Sequence, residues 1–164
     1  MSEITEIFAK KQFNRFSKEY NKLRGTDLVW YDFDEKGNED WDFRGQDTKT
    51  GNILPIQYTE AITNQLQKTN LEAHKRDEYS FKFDPGIKMA YISVEKAYLK
   101  KLISADRKTL LLAGFHDYPY ERNRKFDSIN DIREYMIRKF KQCVYKELWI
   151  INVADFDGIC DFIF

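Results

Sequence analysis

Asp42 stands fifteen residues ahead of Gln57, and the intervening Lys49-Thr50-Gly51-Asn52 reads as a turn between two short strands. A hairpin folded about that turn lays the carboxylate of Asp42 beside the amide of Gln57. Side chains two apart in a strand share a face, so Thr59 adds a hydroxyl on the side of Gln57, while Ile56 and Tyr58 turn to the other. An acid, an amide and a hydroxyl thus converge, and what they can do depends on whether a second acid reaches them. Glu60 does so if the strand ends at Thr59 and the chain turns there. Glu19, beside Phe16 and Tyr20 on an early helix, is a second donor that a helix covering the sheet can lend.

Other chemistries lack their residues. His74 and His116 are far apart and have no Cys or His at ligand spacing, which argues against zinc. The seven glycines form no phosphate-cradling loop, there is no Gly-x-Ser-x-Gly elbow, and neither Cys143 nor Cys160 has a nearby His to make a nucleophile pair. The two cysteines read as buried hydrophobes in a chain suited to a reducing compartment. Asp155, Asp157 and Asp161 lack the spacing and terminal Glu of a calcium loop. Arg122, Arg124 and Lys125 lie beside Tyr118 and Tyr120, and Arg138, Lys141 and Lys146 follow on and after the last helix. Basic residues interleaved with aromatics can grip phosphates and stack on bases; the plainer reading is a solvated loop and helix face.

The elements that position Asp42 and Gln57 follow from patterning. Residues 2–24 place Ile4, Ile7, Phe8, Phe16, Tyr20 and Leu23 near helical spacing, and Gly25 is a natural stop. Residues 27–33 carry large apolar groups on both parities, as a strand covered on two faces would. Strands at 41–47 and 53–59 follow. Residues 60–85 form a polar excursion, partly helical and anchored by Ile62, Leu66 and Leu71. After Pro85-Gly86, Ile87, Ala90, Tyr91, Val94, Tyr98 and Leu102 predict an amphipathic helix ending near Ser104. The unbroken apolar run within 108–115 predicts the central strand. A last helix, capped by Asp127 or Ser128, carries Ile129, Ile132, Met136, Phe140 and Cys143 in one stripe, before a strand at 147–153 and an edge at 159–164. The order of helix, three strands, helix, strand, helix, strand predicts an α/β fold with a mixed central sheet flanked by helices.

The Asp42-Phe43 pair and the string from Gln57 to Ala61, set on neighbouring strands behind a first helix, resemble the PD-(D/E)xK nuclease superfamily of restriction-endonuclease-like proteins. Its pattern is an Asp at a strand start, then an acid and a Lys two residues apart on the next strand. The motif covers only residues 42–61, but the order of elements is similar along most of the chain. The resemblance implies a divalent Mg²⁺ or Mn²⁺ ion, with Asp42, Gln57 and Glu60 as ligands and Thr59 and Glu19 as further site residues. Such an ion polarises a phosphodiester and acidifies an attacking water. Gln57 stands in place of the second acid and Thr59 in place of the Lys; the first exchange removes a full charge from the ligand set. Lys88, Lys96 and Lys100 are the candidates for a replacement cation, of which Lys96 projects opposite the apolar stripe and Lys88 flanks it.

A chain of 164 residues is one domain, 1–164, and can bury about 70% of its unfolded surface. With 42% hydrophobic and 16% aromatic residues it has core material enough to exclude disorder and a disulfide-stapled scaffold. The 27 basic and 27 acidic residues cancel, so any nucleic-acid surface is local. No apolar run is long enough to cross a bilayer and the amino-terminal residues carry no export signal, so a cytoplasmic protein is expected. Two functions follow. One is a metal-dependent nuclease cleaving DNA or RNA with a weakened site. The other is a catalytically inactive module on the same scaffold that binds nucleic acid or a protein partner, as in defence against foreign DNA or in phage biology. A purely protein-binding or inhibitory domain is the third reading.

Overall fold

In a computed structural model, residues 4–61, 90–102, 105–115, 129–153 and 160–164 are described. The first helix, α1 (Glu6–Arg24), begins where the Thr5 hydroxyl accepts a hydrogen bond from the Phe8 amide at 3.2 Å. It ends where Gly25 adopts φ 66° and returns its N–H to the Asn21 carbonyl. Phe8, Phe13, Phe16 and Tyr20 form its buried stripe. Ile7 and Leu23, expected in that stripe, are exposed, because each falls outside the arc that meets the sheet.

Three strands follow, β1 (Leu28–Phe33), β2 (Phe43–Asp47) and β3 (Ile53–Glu60). Then come α2 (Ala90–Lys100), β4 (Leu110–Phe115), α3 (Ile129–Phe140), β5 (Leu148–Asn152) and β6 (Cys160–Phe162). The strands form one six-stranded mixed sheet in sequential order. β1, β2 and β3 are antiparallel neighbours, β3, β4 and β5 run parallel, and β6 pairs antiparallel with β5. The fold is thus the expected mixed α/β class, with β6 closing the sheet after the last strand of the expected order.

Alternation along the strands divides the core in two. On one side Leu54, Ile56 and Tyr58, Leu110 and Leu112, and Trp149 and Ile151 pack beneath α1. On the other, Leu111, Ala113, Leu148 and Ile150 pack against Val94, Ala97 and Tyr98 of α2 and Ile132 and Met136 of α3. The continuous apolar runs of β4 and β5 are explained by this double cover. On β1 the cover is one-sided: Leu28 and Trp30 join the α1 core, whereas Val29 and Tyr31 are 42% and 46% exposed, contrary to the two-faced expectation. At the other end α3 stops before Cys143, because Lys141 takes φ 60° and turns the chain; Cys143 still packs on the same core from the following loop. α2 likewise ends at Lys100, short of Ser104, and Leu102 is exposed.

Among the described residues no helix is long and apolar enough to cross a membrane. The interior of the polar excursion, the cap at Asp127 or Ser128, both histidines, Lys88, Asp155, Asp157 and the cluster around Tyr118, Tyr120, Arg122, Arg124 and Lys125 lie outside the described residues.

Candidate functional site

The β2–β3 ladder pairs Phe43 with Ile56, and the Asp42 N–H continues it by donating to the Ile56 carbonyl at 2.9 Å. Asp42 therefore stands across from Gln57, as the hairpin predicts. Its carboxylate turns back on the ladder: Oδ2 accepts the Tyr58 N–H at 2.8 Å, the next donor that β3 offers on this side. The acid closes the end of the ladder with a charge-assisted bond. Asp34 donates its N–H to the Asp42 carbonyl, which ties the end of β1 to the same point.

Gln57 and Thr59 lie in register with Leu111 and Ala113 of β4, on the face covered by α2 and α3. Gln57 is 8% exposed, and its Oε1 accepts from the Tyr145 hydroxyl at 3.0 Å. That hydroxyl also reaches the Lys101 carbonyl. Tyr145 thus fixes the amide from the loop before β5, eighty-eight residues away in sequence. Sequence reasoning missed it, since nothing local marks one tyrosine among ten as the partner of a distant amide. Thr59 is buried, and its Oγ1 has no hydrogen-bond partner among the described residues.

The two auxiliary acids lie elsewhere. β3 runs through Glu60, and the Ala61 N–H still donates to the Gly114 carbonyl, so the chain does not turn at Thr59. Strand parity sets Glu60 with Tyr58 on the α1 face. Glu19 is on α1 itself, paired with Lys22 at 3.7 Å and close enough to Cys160 of β6 to bear on that thiol. The sheet therefore separates both glutamates from Asp42, Gln57 and Thr59. Of the candidate lysines, Lys96 and Lys100 are exposed on α2.

A Mg²⁺ or Mn²⁺ ion held by protein leans on carboxylate oxygens at close range. On this face the Asp42 carboxylate serves the Tyr58 amide, the facing amide oxygen serves Tyr145, and the neighbouring acid, Asp32, is taken by Arg44. Among the described residues no three His, Cys, Asp or Glu side chains gather to hold a metal. The described residues do not fit a divalent-metal centre of the kind the nuclease pattern implies.

Beside Asp42 the same face carries a cationic and aromatic cluster. Arg44 grips Asp32 with two hydrogen bonds, Nε to Oδ1 at 2.8 Å and Nη2 to Oδ2 at 2.5 Å. Its guanidinium carbon lies 4.2 Å from the ring centre of Trp41 and 5.2 Å from that of Tyr31. The bond to Asp32 raises the Arg44 pKa above its ordinary value, and the guanidinium, charged at any ordinary pH, lies near both rings. Arg138, Lys141 and Lys146, the basic group noted at the end of the last helix, are solvent-exposed.

Comparison with protein-family models, with curated proteins and with solved structures finds no match to this chain. Its geometry alone supports a functional reading.

Proposed function

We propose that this chain is a nucleic-acid-binding module on a nuclease-like scaffold, with no catalytic metal centre. The observation that carries the reading is the Asp42–Gln57 pair. Asp42 immediately precedes β2 and faces Gln57 of β3, an arrangement similar to that of the metal-holding acids in the nuclease pattern, yet each member makes a hydrogen bond within the protein, Asp42 to the Tyr58 amide and Gln57 to Tyr145. The succession of helix, three strands, helix, strand, helix and two strands is similar to that scaffold up to β5.

Nucleic acid is favoured as the ligand by the open face of β1 and β2. Tyr31 is nearly half exposed, Trp41 is partly exposed, and Arg44 lies between them. Aromatic faces beside a guanidinium are suited to stacking on unpaired bases, at about 1–3 kcal/mol per base. Single-stranded DNA or RNA is therefore the expected ligand class.

The test is fluorescence anisotropy with labelled single- and double-stranded DNA and RNA, run beside cleavage assays in Mg²⁺ and Mn²⁺ on the native chain and Asp42→Ala. Binding without cleavage is expected, with affinity for single strands falling roughly tenfold or more in Tyr31→Ala/Trp41→Ala. Cleavage that disappears in Asp42→Ala overturns the reading and restores a metal-dependent nuclease. Failure to bind any of the four nucleic acids overturns it in favour of a protein partner.

A further inference from the structure

At the end of the sheet where β4 and β5 begin, a pocket of about 380 Å³ opens between the last turn of α1, the loops before β4 and β5, and β6. Arg24, Arg107 and Lys146 bring three cations to its lining, and Glu147 is the one carboxylate side chain. Glu147 is occupied inwards: Oε1 meets Arg24 Nη2 at 2.5 Å, and Oε2 accepts from Trp149 Nε1 at 2.8 Å. Arg107 and Lys146 have no carboxylate partner among the described residues. The Gln142 amide, turned so that its oxygen faces Arg107, accepts from Nη2 at 2.7 Å and Nη1 at 3.0 Å and so orients that guanidinium. Cys143 adds no negative charge, since burial foremost raises its thiol pKa above the ordinary value.

The rest of the wall is aromatic. Phe162 and Phe164 line it, and the Arg24 guanidinium carbon lies 5.2 Å over the Phe162 ring. Tyr145 is the third ring, the same residue whose hydroxyl holds Gln57. Cations beside apolar rings match a ligand with a doubly charged head and a flat body, and the volume lies in the usual small-molecule range of about 300–1,000 Å³.

We infer that this pocket binds a nucleoside monophosphate, with Arg107 and Lys146 receiving the phosphate and the base lying against Phe162 and Phe164. The ligand is either a free mononucleotide or the phosphorylated terminal nucleotide of a strand. The inference stands on the lining residues and not on the reading of the Asp42 face.

Isothermal titration calorimetry on the full chain at low salt tests it, with AMP, GMP, CMP and UMP, their nucleosides, inorganic phosphate, and oligonucleotides with and without a 5′-phosphate. At least one mononucleotide or the phosphorylated oligonucleotide should bind roughly tenfold or more tightly than both the matching unphosphorylated compound and inorganic phosphate. Arg107→Gln and Lys146→Gln, both at exposed side chains, should each weaken that binding about tenfold with melting unchanged. Tyr31→Ala/Trp41→Ala should leave it intact, which separates this pocket from the β1–β2 face. Preference for mononucleotides assigns the free ligand, and preference for the phosphorylated oligonucleotide assigns a strand end. The inference is overturned if neither form outbinds inorganic phosphate, or if Arg107→Gln/Lys146→Gln binds as the native chain does.

Discussion

Gly114→Ala is a one-methyl change in the central strand whose sign the packing decides. Alanine in a strand is ordinarily favoured over glycine by roughly 0.5–1 kcal/mol, because glycine loses more backbone freedom on folding. At Gly114 an added Cβ would lie 2.6 Å from both Cε2 and Cζ of Tyr58, and closer still to the hydroxyl. Tyr58 cannot swing away easily: it is 5% exposed and meets Phe8 edge to face with ring centres 5.4 Å apart. Forcing a methyl into such a place costs about 1–3 kcal/mol, enough to reverse the backbone preference. For a chain of this length each kcal/mol lowers the melting midpoint by about 2–4 °C. Urea denaturation of native, Gly114→Ala, Tyr58→Ala and the double variant closes a thermodynamic cycle. Tyr58→Ala alone should cost about 3–5 kcal/mol, and adding Gly114→Ala to it should cost nothing or stabilise slightly. The packing argument is refuted if Gly114→Ala costs the same in both backgrounds, or if alone it leaves the chain as stable as the native one. The Tyr58 amide holds Asp42, so a displaced Tyr58 would also disturb the candidate site.

Three further expectations rest on other contacts. Tyr145→Phe removes the donor to Gln57 and should cost about 1–3 kcal/mol in urea denaturation; an unchanged midpoint would contradict the role given to that hydroxyl. The Asp47 carboxylate is held below its ordinary pKa of 3.8, chiefly by the Asp27 N–H and then by the Lys49 N–H and the Thr50 hydroxyl. The depressed pKa means that its stabilisation is present above the ordinary value and is lost as pH falls through the folded one. Melting curves between pH 6 and pH 2 should therefore decline less steeply below about pH 4 in Asp47→Asn, and parallel curves would refute this. Burial pushes the Cys160 thiol up to about 12 and also raises Cys143, so both should react slowly with a disulfide reagent at pH 8 and promptly in urea. The stabilisation from a raised thiol pKa is lost as pH climbs from the ordinary thiol range towards the folded value, and fast labelling of the native chain would show these thiols to be accessible.

The sheet was legible because its signals are local. The apolar runs of β4 and β5 imply two covered faces, and the turn at residues 49–52 sets the register that places Asp42 across from Gln57. What escaped depends on partners remote in sequence. Large apolar groups on both parities of β1 cannot reveal that, among the described residues, only the side of Leu28 and Trp30 packs against a helix. The stripe running on to Cys143 does not show that Lys141 reverses the backbone. Glu60 and Glu19 have the right chemical type, but a strand one residue longer than expected and the side of the sheet that α1 covers decide where they lie. Tyr145 and the pocket beside it arise from segments at residues 24, 107, 145 and 162 that only the closed sheet brings together.

The irregular step in the β1–β2 pairing bears on how copies of this chain avoid one another. β1 is the outer strand of the sheet, with Val29 and Tyr31 exposed, and a straight outer strand of that kind invites a second chain to pair along it. Pairing with β2 is regular only through Leu28, Val29 and Trp30 before it slips between Trp30 and Asp32. A bulge bends the strand and sharpens its twist, so an incoming strand finds a regular run of three residues rather than six. The same slip that sets Asp32 opposite Arg44 makes the open margin of the sheet a poor template for fibrous self-association.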